Sequence, residues 1–272
     1  MHRNKLAQMG VFALVIARMF SCPAGVIAQT LNSEREVHIV EPIITEETMP
    51  NEPGEWTLRL SGSYLWQGAG GSGFLPRAQV FFGIAERWGG EVELPMAFAR
   101  EDSNHYGVGD ISATVKYLVR KPSVRMPGFV VGLETVFPTG KSDKGLGEGV
   151  FEAAPFVATV YATRRAVLQG NFGYSAVHRA RDTEASNQFF YNGALAFPFE
   201  RIKTWSVWEI NGTHATSGNQ ISFSPGLKYN LTPERYLAIA FPIGLNSQTT
   251  RWGVVLQLQF ALPSAKKERQ AE

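Results

Sequence analysis

A single cysteine in 272 residues, Cys22, excludes a disulfide scaffold and a cysteine-rich metal site. Charge is scarce as well: 18% of residues are Asp, Glu, Lys or Arg, below the ~25% of an ordinary soluble domain. With 26 Lys and Arg against 24 Asp and Glu, the chain has no basic excess to spread over nucleic acid. Beyond the N-terminal segment, no apolar run approaches the ~20 residues of a membrane helix. The longest, from Tyr236 to Leu245, is about half that. No period supports a collagen or a coiled coil. If such a chain enters a membrane, it must do so as a closed β-barrel, because only closure pairs every backbone group in lipid.

Two terminal features stand apart from the rest. His2, Arg3 and Lys5 precede an apolar run from Met9 to Ala17, and a small-residue stretch ends in Val26-Ile27-Ala28. This is the pattern of an export signal over residues 1–28, flawed by Arg18. Cys22 raises a lipoprotein alternative, for which Met19-Phe20-Ser21 is a poor context. Residues 29–54 carry Glu34, Glu36, Glu41, Glu46, Glu47 and Glu52 against Arg35, with Pro42, Pro50 and Pro53. That composition predicts a flexible acidic arm in the periplasm. Glu36-Val37-His38-Ile39-Val40 faintly resembles the box by which energised receptors contact an inner-membrane partner. Those receptors need a plug domain and ~22 strands, for which the chain is too short.

From residue 55 the pattern turns to period two, the mark of a strand with unlike faces. Trp56, Leu58, Leu60, Tyr64 and Trp66 alternate with Thr57, Arg59, Ser61, Ser63 and Gln67. The alternation recurs over about 77–84, 91–98, 110–119, 129–137, 168–176, 188–197, 204–214, 220–229, 237–245 and 252–262. A strand at about 150–162 has ambiguous faces. Together these predict about 12 strands in an all-β, antiparallel, up-and-down transmembrane barrel over residues 55–262, an even number as in bacterial barrels. A polar tail, 263–272, follows.

A soluble sandwich would show the same alternation, but three features place lipid outside. Aromatics (Trp56, Trp66, Tyr117, Phe137, Tyr229, Trp252) end strands on the apolar face, as an interfacial girdle requires. The polar face is rich in Ser, Thr, Gln, Asn and Gly. Longer and shorter connections alternate, which puts the longer set outside if the N-terminus is periplasmic. The short turns carry Arg87, Arg120, Arg125, Arg164, Arg165, Arg201 and Arg235. Pairing with phospholipid headgroups and plain turn polarity explain these arginines about equally well.

Three stretches carry a resemblance. They are Gly107-Val108-Gly109-Asp110-Ile111-Ser112-Ala113-Thr114-Val115-Lys116-Tyr117, then Phe137-Pro138-Thr139-Gly140-Lys141-Ser142-Asp143 running on through Gly145, Gly147 and Gly149, and Ser224-Pro225-Gly226-Leu227-Lys228-Tyr229. They resemble the strand opening, the outer Pro-Thr-Gly loop and a later strand of the meta-pathway phenol-degradation, or transporter-like, family of outer-membrane proteins. The resemblance implies an outer-membrane barrel and the passage of small, often aromatic or apolar, compounds. Its motifs are structural rather than catalytic. Many such barrels end on an aromatic read by the barrel-assembly machinery, whereas here the tail Ser264–Glu272 intervenes.

Two motifs hint at other chemistry. Gly140-Lys141-Ser142 lacks the glycine five residues upstream, where Thr135 stands, and precedes a strand, so no helix cradles a phosphate. His214-Ala215-Thr216-Ser217-Gly218-Asn219 holds the residue types of a Ser-His-Asn hydrolase, which His105 or His178 could join. Crowded into one short loop, they read better as surface.

The inward face carries the informative charges. Arg59, Arg77, Lys116 and Lys228 share it with Glu91, Glu93, Asp110, Glu134 and Glu209, beside Asn211, Gln257 and Gln259. Opposite charges could pair and fill the lumen, or form opposed patches that orient a solute. A barrel of this size should have a narrow lumen. The reading is an outer-membrane channel for passive passage of small solutes, gated by the loop holding Thr139, Gly140, Lys141, Asp143 and Lys144. Its partners are outer-membrane lipid, small-molecule solutes and the assembly machinery; no nucleic acid, cofactor, metal or catalytic residue is expected. A lipid hydrolase and a structural barrel without transport are the alternatives.

Overall fold

The computed structural model describes residues 39–45, 48–66, 72–100, 104–178, 186–199, 202–216, 218–232 and 235–262. All belong to one unit, Val37–Glu272. The export segment 1–28 and the tail 263–272 lie outside the described residues.

The strand segments are β1 (Trp56–Trp66), β2 (Ser72–Ala85), β3 (Trp88–Arg100), β4 (Asn104–Val108), β5 (Ile111–Arg120), β6 (Gly128–Phe137), β7 (Phe151–Ala162), β8 (Val167–His178), β9 (Gln188–Phe199), β10 (Thr204–Ala215), β11 (Gly218–Thr232), β12 (Arg235–Ala240), β13 (Ile243–Gly244) and β14 (Trp252–Leu262). Each pairs antiparallel with its neighbours, and β1 closes on β14 in unbroken register from Trp56–Leu262 to Trp66–Trp252. β4 and β5 are one stave broken at Gly109-Asp110, opposite Pro95, which has no N–H to give; its carbonyl accepts from Gly109 instead. β12 and β13 are another, broken at Phe241-Pro242. Fourteen segments less these two breaks leave twelve staves in a closed up-and-down barrel.

The period-two pattern sorts the side chains as a membrane barrel requires. Leu60, Val92, Val115, Leu133, Leu168, Phe172, Leu237 and Leu256 cover the outside, and Arg59, Glu91, Lys116, Glu209, Lys228 and Gln257 are buried on the inside. A soluble monomer does not present a continuous apolar surface of this kind. Aromatic pairs mark both rims. Trp56 stacks on Phe82 at 5.1 Å and Trp88 meets Tyr117 at 4.8 Å at the short-turn end. Tyr64 and Trp66 each lie 6.0 Å from Trp252 at the other, where Tyr174 meets Phe189 at 4.7 Å. The described short-turn arginines, Arg87, Arg120, Arg125, Arg164, Arg165 and Arg235, are all exposed.

β7 resolves the ambiguous strand. Ala154, Phe156, Ala158, Val160 and Ala162 point inward and are buried, so both faces of β7 are apolar and alternation alone could not orient it. With Val130, Val167, Ala194 and Ala196 they form an apolar patch on the β6–β9 side of the lumen, beside the buried Gln169, Asn171 and Ser175. Phe156 lies flat over Gly132 of β6, where a Cβ would sit 2.2 Å from the ring.

The acidic arm expected over 29–54 is outside the described residues up to position 38. From Ile39 it is not a free arm. Val40 and Ile43 are buried against Val160, Val167, Val207, Tyr236 and Val255, and Met49 packs between the two buried clusters. The apolar side chains interspersed among the glutamates match the apolar wall, which composition alone did not disclose. The chain then leaves beneath the β2–β3 turn: Pro53 bridges Gly83, and Gly54 N donates to Gly83 O at 3.1 Å. Only glycine fits there, since a Cβ on Gly83 would lie 1.8 Å from Glu52 O.

Candidate functional site

The lumen near the short-turn end is built around the chain's own residues 39–45 and Thr48. Glu209, in mid-β10, is fully buried. Its carboxyl oxygens accept the successive backbone N–H groups of Ile43 (2.8 Å), Ile44 (3.0 and 3.1 Å) and Thr45 (2.6 Å). Three convergent N–H donors form a backbone nest, a ready receptor for a carboxyl group. Wall amides complete the grip. Gln257 donates to Ile43 O at 3.1 Å, Gln169 to Val40 O, Asn211 to Thr45 Oγ1 at 2.9 Å, and Thr48 Oγ1 to Gln169 Oε1 at 2.8 Å. Period two aims these residues inward. Burial favours partnered polar groups, and the inserted segment supplies partners to Glu209, Gln257, Gln169 and the Asn211 side-chain N–H.

A second cluster lies beside it. Arg59 Nη2 is 3.2 Å from Glu41 Oε2, Gln259 Nε2 donates to the same oxygen at 3.2 Å, and Lys228 Nζ is 3.7 Å from it. A third runs toward the long-loop end: Lys116 pairs with Glu91 at 3.0 Å, Gln79 donates to Glu91 at 2.9 Å, and Arg77 faces Glu93 at 3.6 Å. Both members of Lys116–Glu91 are buried. Glu134 lies on the inward face of β6, whose neighbours place Thr114 and Ala154 beside it.

Asp110 does something different from lining a pore. Its carboxylate accepts Gly140 N at 2.9 Å and Glu148 N at 2.7 Å, clamping both ends of the 138–150 loop to the break between β4 and β5. Thr139 joins the clamp, accepting from Ile111 N at 2.9 Å and donating to Gly109 O at 3.0 Å. Leu146 and Val150 are buried beneath the loop, while Thr139, Lys141 and Asp143 are exposed; Ser142–Lys144 form one 3-10 turn.

A family model described as "Putative MetA-pathway of phenol degradation" matches residues 60–262. The chain belongs to this family. No curated protein matches it. Among solved structures, an outer membrane channel from Pseudomonas putida F1 superposes with a TM-score of 0.63 at 11% identity, covering 82% of this chain and 100% of that one. The KdgM porin gives 0.56 at 12% identity, over 76% and 99% of the two chains. The NanC porin gives 0.55 at 14%, over 76% and 99%. The fold of this phenol-degradation family member is thus that of outer membrane porins and channels.

Of the residues of the hydrolase alternative, His214 ends β10 exposed, its Nδ1 against Asn219 Oδ1, and His178 ends β8 exposed; Ser217 lies outside the described residues. Among the described residues no group of three or more His, Cys, Asp or Glu is placed to hold a metal. Sequence reasoning missed Glu41, Ile43, Ile44, Thr45 and Thr48 on the inserted segment, and Gln169, Phe81 and Tyr236 as partners on the wall. Gln169 lies on the polar face of its alternating strand and only its role was hidden, whereas Tyr236 was read only as the start of an apolar run. For the segment, the one available signal was the apolar Val40, Ile43, Ile44 and Met49 within an otherwise solvated run.

Proposed function

We propose that this protein is a non-enzymatic outer-membrane channel for passive passage of small solutes, with residues 39–50 closing its short-turn, periplasmic end. The observation that carries the reading is a lumen of mixed character. Buried apolar side chains such as Val130, Phe156, Val160, Val167 and Val207 share it with the polar Gln169, Asn171, Gln257 and Gln259, and the charges Arg59, Glu91, Lys116 and Lys228 lie on β1, β3, β5 and β11. Such a passage suits solutes with an apolar or aromatic body and a polar group, the class that family membership also suggests. Apolar contact supplies much of the attraction and a few placed polar groups fix orientation. Fixed lumen charges impose selectivity in the way of other pores.

The test is solute flux into liposomes carrying the refolded protein. Uptake of phenol-sized aromatic solutes should exceed that of sugars of equal size, and no uptake of either by correctly folded protein would reject the reading. A KdgM porin structure holds disordered oligogalacturonate, so an acidic sugar belongs in the panel as a competing class.

A further inference from the structure

The partners of Glu41 have a construction that the closing role of the segment does not explain. Arg59 is fixed from the wall: its Nε donates to Gln259 Oε1 at 2.8 Å and its guanidinium lies over Phe81, 4.4 Å from the ring centroid. Lys228 is likewise seated, its Nζ 3.5 Å from the centroid of Tyr236. The Tyr236 hydroxyl lies 2.7 Å from Gln259 Oε1 and 3.0 Å from Gln257 Oε1. These supports belong to β2, β12 and β14, although Lys228 Nζ also donates to Glu41 O at 3.4 Å. Arg59 on Phe81 and Gln259, and Lys228 over Tyr236, thus retain wall contacts when the segment leaves. A guanidinium, an ammonium and a carboxamide converging on one oxygen are a carboxylate receptor, and the Phe81 and Tyr236 rings flank it with apolar surface.

We propose that Arg59, Lys228 and Gln259 form a lumen binding site for small monocarboxylates with an aromatic or apolar body, and that Glu41 occupies it as an internal surrogate. A solute carboxylate then competes with Glu41 for the same donors and favours release of the segment, because it binds only the open state. This rests on the reading of the lumen as a solute path, which it extends by naming the solute class and what opens the path.

The test needs no flux. Thr45→Cys, with Cys22→Ala, puts the one thiol of the full chain on the segment, and maleimide labelling in detergent micelles reports its release. Benzoate should accelerate labelling saturably, by about tenfold, while neutral benzamide should not. Arg59→Gln should abolish the response. Should that variant fail to fold, Glu41→Gln serves instead: it removes the surrogate's charge and should lower the half-saturating benzoate concentration by about tenfold. Labelling unchanged by benzoate up to ~100 mM, where even millimolar affinity would saturate, would overturn the proposal. So would an equal response to benzamide, or an unaltered half-saturation in Glu41→Gln. A carboxylate-specific labelling response without solute flux would support the site and reject the channel.

Discussion

Glu209→Met tests the grip on the inserted segment. Methionine matches glutamate in length and removes both acceptor oxygens, so Ile43, Ile44 and Thr45 lose the partner of three backbone N–H groups. A buried N–H without a partner costs ~1–3 kcal/mol, so retaining the segment would cost at least ~3 kcal/mol. Its other holds, among them Gln257 on Ile43 O, Gln169 on Val40 O, Asn211 on Thr45 Oγ1 and the Glu41 contacts, do not reach those donors. Release hydrates them and is the cheaper response. At ~1.4 kcal/mol per tenfold, the released fraction rises at least ~100-fold. Hydrogen–deuterium exchange at amides 43–45 should accelerate by that factor, while paired strand amides such as Leu58 and Val254 keep wild-type protection. Unchanged exchange at 43–45, or faster exchange across the whole barrel, would refute the assignment of Glu209 as the holder of the segment.

Three further outcomes follow from the geometry. Lys116→Met leaves the buried Glu91 carboxylate without its cation, with Gln79 still donating to it, and breaking such a pair should lower barrel stability by about 3–5 kcal/mol in urea-dependent unfolding in micelles. Asp110→Ala removes the acceptor of Gly140 and Glu148, so exchange at those two amides should rise with little effect on strand amides. Leu256→Arg places a cation on the outer face of mid-β14, and should destabilise the bilayer-inserted form by ~2–4 kcal/mol, with no such loss for an arginine placed in an exposed turn.

Much of the barrel was legible because a closed sheet imposes a rule that sequence obeys locally: alternate residues face opposite media. Arg59, Glu91, Lys116 and Lys228 could be read as inward from their neighbours alone. β7 could not, because Val160 and Phe156 inside are as apolar as Tyr161 and Phe151 outside. The stave break at Phe241-Pro242 was invisible to periodicity, which carries across it; at Gly109-Asp110 the outward set slips from Tyr106 and Val108 to Ile111 and Val115, and the short β4 before the slip was not read as a strand. The inserted segment was the largest omission. Its contacts span 164 to 166 residues between Ile43–Thr45 and Glu209, a separation on which no spacing rule operates, and its proline and glutamate content favours a solvated reading. For the same reason Asp110 was read as a pore charge: its face was evident, but its bonds to the 138–150 loop depend on how that loop returns.

The central claim is that the lumen is a solute path closed by residues 39–50. Single-channel recording in planar bilayers tests it most directly, comparing the full chain with one lacking everything before Asn51. The account expects rare openings from the former and steady, discrete conductance steps from the latter. A folded but silent truncated barrel, or the same conductance from both, would contradict it.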